Sequence, residues 1–269
     1  MKFLITGVSG FVGEELVYFL QKNPKYSILG IDKNEELFTQ KIIFRKCNLI
    51  SEKNKLNDIF NEFRPDVVIH CAAIIDNRRD SVKILSVNHG GTINALTLAR
   101  EIGASVFINI STVQVIGLIL EKPITEDHLC SPLTCYHLSK LKAEEAIDLL
   151  CPHNIFLVSL RIPSPVGMNM PMRSILPIFL HQALNNERII LVGDKRRRQN
   201  FLDLRDLTKA IHSLCNVGNI KGIYNIASRQ PESDFDLANI IALEAGSKSV
   251  VTDDSKVNFS NYLGQYVVE

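Results

Sequence analysis

Tyr136 and Lys140 stand four residues apart in Tyr136-His137-Leu138-Ser139-Lys140. On a helix such positions share a face, so a phenol and an ammonium are expected side by side. A free tyrosine has a pKa of about 10 and is a poor base at neutral pH. A neighbouring cation favours phenolate and is expected to lower that value, so that Tyr136 can exchange a proton with an alcohol or ketone. Thr112 follows an apolar run at residues 106–110 and offers a hydroxyl to the same oxygen from another side. A Tyr/Lys pair alone is common on helix surfaces. Its weight here comes from Thr112 and from a second constellation near the N-terminus.

That constellation is Lys2-Phe3-Leu4-Ile5-Thr6-Gly7-Val8-Ser9-Gly10-Phe11-Val12-Gly13. A buried strand runs into three glycines and then a helix. Gly7 permits the tight turn, Gly10 lets a pyrophosphate approach the backbone, and Gly13 lets helix and strand pack closely. The N–H groups of the helix start then face the anion. Asp32, in Gly30-Ile31-Asp32, lies about twenty residues beyond the glycines, where the dinucleotide fingerprint needs an acid. A carboxylate there accepts from ribose hydroxyls and repels a 2′-phosphate, which favours NAD over NADP. Lys33 beside it weakens that preference.

These residues need a frame. Residues 2–6, 27–32, 42–47, 67–71, 106–110 and 155–161 are β-branched or apolar and read as strands. Between most of them, residues 13–21, 56–63, 88–102 and 134–150 read as helices. The alternation predicts a parallel sheet covered on both faces, an α/β Rossmann-like doubly wound domain. After Arg161, prolines at 163, 165, 171 and 177 break the pattern. Helices at 178–185, 204–214 and 235–245 and strands at 189–192 and 223–226 are expected to form a smaller α/β lobe over the carboxyl ends of the strands. The expected division is residues 1–162 for dinucleotide binding, with elements returning from later in the chain, and 163–269 for substrate.

Composition narrows the classes. Thirty Lys and Arg nearly balance 29 Asp and Glu, so no global field draws in nucleic acid or an anionic membrane. The six cysteines show no Cys-x-x-Cys spacing, and no His/Cys/carboxylate cluster suggests a metal. No apolar run reaches the roughly 18 to 20 residues of a membrane span, and Phe3-Leu4-Ile5 is too short for a signal core. A soluble cytoplasmic protein with reduced thiols is expected.

Taken together, the chain resembles the extended short-chain dehydrogenases, specifically the NAD-dependent epimerase/dehydratase group acting on nucleotide sugars. The resemblance rests on the glycine segment, on Pro65-Asp66-Val67-Val68-Ile69-His70-Cys71-Ala72-Ala73, on Asn88-His89-Gly90-Gly91-Thr92 and on Ser111-Thr112-Val113-Gln114-Val115-Ile116-Gly117. It continues through Tyr136-x-x-x-Lys140, Gly193-Asp194, Gln199-Asn200-Phe201, Asp206 and Tyr224-Asn225-Ile226-Ala227. It implies that Thr112, Tyr136 and Lys140 are catalytic. It implies a cofactor path of Gly7, Gly10, Phe11, Val12, Gly13, Asp32, Lys33, Asn48, Leu49, Cys71, Ala72, Ala73, Asn88, Ile110, Tyr136, Lys140, Pro163 and Ser164. Thr112, Ser164 and Arg198 are assigned to substrate, and helices from residue 88 and at 134–150 to a homodimer interface.

There are departures. Asn48-Leu49 replaces an Asp-hydrophobic pair near the adenine, where the asparagine carbonyl can still accept from the amine. Ile116 replaces a Tyr, and Arg161-Ile162-Pro163-Ser164-Pro165-Val166-Gly167 lacks the usual Asn and Tyr on the substrate side. Family dehydratases often carry an acidic pair after the catalytic Thr; Val113 and Gln114 stand there. The expected activity is therefore a nucleotide-sugar epimerase or keto-sugar reductase. The alternatives are a reductase of a small non-sugar ketone or aldehyde and a non-catalytic NAD-sensing or scaffold protein. Arg196-Arg197-Arg198 is either a diphosphate clamp or a solvated face. His70 is expected to be structural, and Cys135 a small core thiol.

Overall fold

The computed structural model describes residues 1–34, 42–75, 81–150, 155–172, 174–191, 198–217, 220–249 and 251–253. The chain opens with β1 (Lys2–Thr6), α1 (Phe11–Leu20), β2 (Ser27–Asp32), β3 (Ile43–Lys46), α2 (Lys53–Phe63) and β4 (Val67–His70). A short α3 (Ser81–Leu85) leads through a π turn, Ser86–Gly90, into α4 (Gly91–Glu101). Next come β5 (Val106–Thr112), α5 (Cys135–Leu149) and β6 (Phe156–Ile162). The later elements are β7 (Ser164–Val166), α6 (Ile175–Leu184), β8 (Ile189–Leu191), β9 (Arg198–Gln199), β10 (Phe201–Asp203), α7 (Leu204–Val217), β11 (Gly222–Asn225), β12 (Glu232–Ser233), α8 (Asp234–Glu244) and β13 (Val251–Asp253).

Seven strands form one parallel sheet in the order β11-β6-β5-β4-β1-β2-β3. The order reverses between β1 and β4, and the crevice beyond the carboxyl ends at such a reversal is where open α/β sheets bind ligands. Phe3, Leu4 and Ile5 are fully buried because helices cover both faces of β1. On one face Leu16 and Leu20 of α1 pack with Leu207 and Ile211 of α7. On the other, Leu56 and Phe60 of α2 pack with Ala95 and Leu96 of α4.

The later chain departs from a simple second lobe. Helix α7 shares the main core and β11 pairs with β6, so both belong to the sheet domain. The small lobe is built on α6, α8 and the β8–β13 pair, around Phe179, Ile189, Leu237 and Ile241. The segment expected as one helix at 88–102 contains the π turn at its start. The wider turn lets Asn88 project inward, as π bulges often do at functional sites.

One row of side chains crosses the sheet. Thr6, His70, Asn109 and Ser159 are register partners on β1, β4, β5 and β6, and all four are buried. Thr6 Oγ1 and His70 Nδ1 are 2.7 Å apart, and Asn109 Nδ2 donates to Ser159 Oγ at 3.3 Å. Among the described residues no helix is long and apolar enough to cross a membrane.

Candidate active site

The glycine turn is built by steric exclusion. Gly7 has φ +68, and a Cβ on it would lie 2.6 Å from Ala72 Cα. A Cβ on Gly13 would lie 2.5 Å from the Gly7 carbonyl oxygen. Gly10 is the N-cap of α1 and supplies no side-chain cap, so the first N–H groups of that helix keep their capacity for an anion. Phe11 and Val12 form the half-buried first turn. Ser9 Oγ is buried without a hydrogen-bond partner among the described residues. An uncapped helix start beside an orphaned hydroxyl is a donor set that fits a pyrophosphate.

Asp32 ends β2 and closes over this turn. Its Oδ2 accepts from Ser9 N at 3.2 Å and its Oδ1 from Asn34 N at 3.1 Å. Each carboxylate oxygen has a second lone pair, which fits a ribose hydroxyl. Lys33 is exposed beside it.

The adenine-side expectation changes. Asn48 Oδ1 already accepts from Ile50 N and Ser51 N, at 2.9 and 3.3 Å. The oxygen expected to receive the adenine amine instead closes a local turn, as asparagine commonly does. Leu49 is packed into the core under α4, and its carbonyl accepts from Asn94 Nδ2 at 2.8 Å. Cys71, Ala72 and Ala73 continue from β4 and are partly exposed.

The residues expected at the reactive centre lie at the carboxyl end of β5. Thr134 caps α5 by accepting from His137 N at 3.2 Å. The next turns direct Tyr136 and Lys140 inward. Lys140 is buried, and its Nζ donates to Ile110 O at 2.7 Å, two residues before Thr112. Burial lowers its pKa to about 8, opposed by charge interactions with Cys71 and Glu144. Tyr136 packs against Ile74 and Ile84, and burial pushes its hydroxyl above the usual tyrosine range. This corrects the expectation that Lys140 lowers it: in the folded chain desolvation dominates.

Thr112 is buried and caps the turn at Val113–Val115, its Oγ1 accepting from Gln114 N at 3.2 Å. That leaves its O–H to donate elsewhere. Gln114 Oε1 lies 2.7 Å from His137 Nε2. Burial lowers His137 to about 4, so the ring is neutral and Nε2–H is the donor. Asn88 joins the strand end to α5: its Oδ1 accepts from Ile74 N at 2.7 Å, and its Nδ2 donates to Ile74 O at 3.1 Å and Ser139 Oγ at 2.9 Å.

Sequence reasoning missed the layer beneath. Glu144 on α5 and Arg161 on β6 form a buried ion pair at 2.8 Å, and Ser111 hydrogen-bonds the same carboxylate. The available signals were an arginine in an apolar strand and a glutamate one turn past Lys140.

Pro163 and Ser164, expected on the cofactor path, are partly buried, and Ser164 Oγ donates to Gln199 Oε1 at 2.9 Å. Arg198 is exposed, with Nη2 donating to Pro231 O at 2.7 Å; Arg196 and Arg197 lie outside the described residues. Cys135 is exposed and is not the core thiol expected. It neighbours Tyr136 on a helix, and adjacent helical residues point about 100° apart, so only one faces inward. His70 is fully buried, lowered to about 3 by that burial, and therefore neutral.

Residues 3–227 match the NAD dependent epimerase/dehydratase family. The chain is 28% identical over 265 residues to a dTDP-D-glucose 4,6-dehydratase of Dictyostelium discoideum, covering 89% of this chain and 60% of that protein. It thus spans less than two thirds of that relative's length. It is 27% identical over 255 residues to a GDP-6-deoxy-D-mannose reductase of Pseudomonas aeruginosa, covering 90% of this chain and 79% of that one. Its fold matches a UDP-glucose 4-epimerase of Thermotoga maritima solved with UDP-glucose, at TM-score 0.88 and 19% identity, covering 100% of this chain and 90% of that one.

Proposed function

The chain belongs to the NAD dependent epimerase/dehydratase family, and on that premise we propose that it is a cytoplasmic nucleotide-sugar epimerase or keto-sugar reductase using Thr112, Tyr136 and Lys140. The observation that carries this reading is the Lys140 Nζ–Ile110 O bond. It brings the α5 face bearing Tyr136 to the end of the strand that bears Thr112. The reductase and epimerase among the proteins it resembles support the reaction class.

Bound NAD supplies a hydride acceptor and donor. The glycine turn, Ser9 and Asp32 hold its diphosphate and ribose, with Phe11, Val12, Ala72 and Ala73 lining the path. Tyr136 stays protonated when buried, which suits donation to a ketone oxygen as hydride arrives at carbon. Donation leaves a phenolate, which the Lys140 ammonium favours, and in the opposite half-reaction that phenolate takes the hydroxyl proton. Thr112 donates to the same oxygen. Ser164 and Arg198 stand on the substrate side. Free thiols at all five described cysteines suit a reducing compartment. Exposed Leu138 and Leu149 on α5 support a homodimer through this helix and α4, which light scattering at micromolar concentration checks.

The test is turnover of UDP-, dTDP- and GDP-sugars and their 4-keto forms in deuterated water, with products read by NMR. Val113 and Gln114 offer no carboxylate to take a proton from carbon. The expected product carries no deuterium at the carbon beside the transient ketone. Substantial incorporation there redirects the assignment to a dehydratase or a 3,5-type epimerase.

A further inference from the structure

Resting on that reading of the reactive centre, we propose that the buried Glu144–Arg161 pair is a positioning device that sets Lys140 and Thr112 against each other. The pair ties α5, which carries Lys140, to β6, and Ser111 ties the same carboxylate to β5, which carries Thr112. Glu144 lies one turn beyond Lys140 on α5, and its carboxylate accepts from Ser111, the residue before Thr112 on β5. Arg161 is the register partner of Ser111 on β6. Its Nε lies 3.2 Å from both Glu144 oxygens and its Nη2 2.8 Å from Oε2. Nη1 reaches Glu126 O at 3.2 Å, so the segment between Thr112 and α5 is held by the same guanidinium. The side chains of Arg161 and Glu144 are only 3% and 1% exposed.

Stability is a weak reason for such a pair, because apolar side chains of equal volume often serve a fold as well or better. Its placement supplies a stronger one. A helix packed on a sheet by apolar contacts alone can settle in more than one arrangement of similar energy. A carboxylate bridging Ser111 and Arg161 fixes α5 along and across β5 at the level of the reacting residues.

The pair also sets the electrostatic setting of Lys140. Among the described residues the groups that interact with its ammonium are Glu144 on α5, His70 and Cys71 at the end of β4, and the Ile110 carbonyl on β5. His70 is neutral and Cys71 is a thiol pushed up to about 12, so Glu144 is the anion among them. Glu144 favours the charged form of Lys140 that burial disfavours.

The experiment compares wild type, Ser111→Ala and the charge-free double variant Glu144→Gln/Arg161→Met. The double variant avoids stranding one buried charge. Thermal melting and binding of ADP, which needs the glycine turn and Asp32 but not the Lys140 face of α5, report folding. Turnover and side-chain NMR titration of the Lys140 ammonium report positioning. In the double variant, ADP affinity is expected to hold, turnover to fall roughly ten- to a hundredfold as misplaced reacting groups do, and the Lys140 midpoint to move down. Ser111→Ala is expected to fall severalfold in turnover with an unchanged melt. A folded double variant with wild-type turnover and an unmoved Lys140 midpoint overturns the proposal. Should the double variant not fold, wild-type turnover in Ser111→Ala overturns it. Tyr136→Phe separates the two readings: full activity in that variant sinks the reactive centre itself, whereas an inactive Tyr136→Phe beside a native double variant sinks the positioning role alone.

Discussion

The glycine turn after β1 and the proposed reactive centre after β5 sit at the same end of the same sheet, yet they are built from opposite materials. The turn works by what is missing: Gly7 and Gly13 have no room for a Cβ, and main-chain N–H groups face the crevice. The reactive centre works by side chains in excess, with Lys140, Glu144, Arg161, His137 and Asn88 all buried. A diphosphate needs several donors and little discrimination, which backbone supplies without rotamers to freeze. Moving one proton needs a particular pKa at a particular atom, and only buried, mutually bonded side chains give that. The contrast teaches that one half should fail through shape and the other through charge.

The sharpest break in that contrast is Tyr136→Phe. It removes a hydroxyl and leaves the glycine turn intact, so turnover should fall by about 10²–10⁴ while NAD affinity by calorimetry changes little. Gly13→Ala attacks the other half. The new Cβ would meet the Gly7 carbonyl at 2.5 Å; overpacking of this kind costs about 1–3 kcal/mol, which denaturant unfolding should register together with weakened NAD binding.

A smaller effect tests charge alone. Lys140 is a lysine lowered by burial to about 8, against an unfolded value of about 10.4. Its ammonium is lost as pH rises through the folded value, so the rate should fall above about pH 8. Between the two values the unfolded chain binds more protons, so this group makes stability rise with pH there. A pH–rate profile beside melts over the same range should show the two trends running in opposite directions. The smallest effect is expected at Asp32→Ala. Competition binding should show the preference for NAD over NADP shrinking toward equality, because the like-charge repulsion of a 2′-phosphate is gone while the glycine turn remains.

How much was legible in the sequence divides along the same line. The glycine turn could be read because its requirements are local: strand, three glycines, helix and an acid at a set distance. The strands of the sheet were legible from their apolar runs, with ends that shifted at β3, β4, β5, β6 and β11 by one or two residues. The support of the reactive centre was not, because Ser111, Glu144 and Arg161 meet only through the β5–β6 register and the seating of α5. The pKa of Tyr136 followed burial, a quantity that spacing does not carry. Asn48 was captured by its own neighbours, and which later elements return to the first domain, β11 to the sheet edge and α7 to its core, depends on chain return over long distances.

The buried row Thr6–His70–Asn109–Ser159 has a consequence for assembly. Parallel strands rich in valine, isoleucine and leucine pair almost equally well when displaced by one residue, since any apolar neighbour satisfies another. A displacement of β5 against β4 by one position would turn Asn109 to the layer opposite His70, and it would face hydrocarbon with its amide unpaired. Four polar residues at one level thus act as an alignment mark: mispaired sheets pay a desolvation penalty at each strand, and only one stacking of the ribbons brings every mark into line.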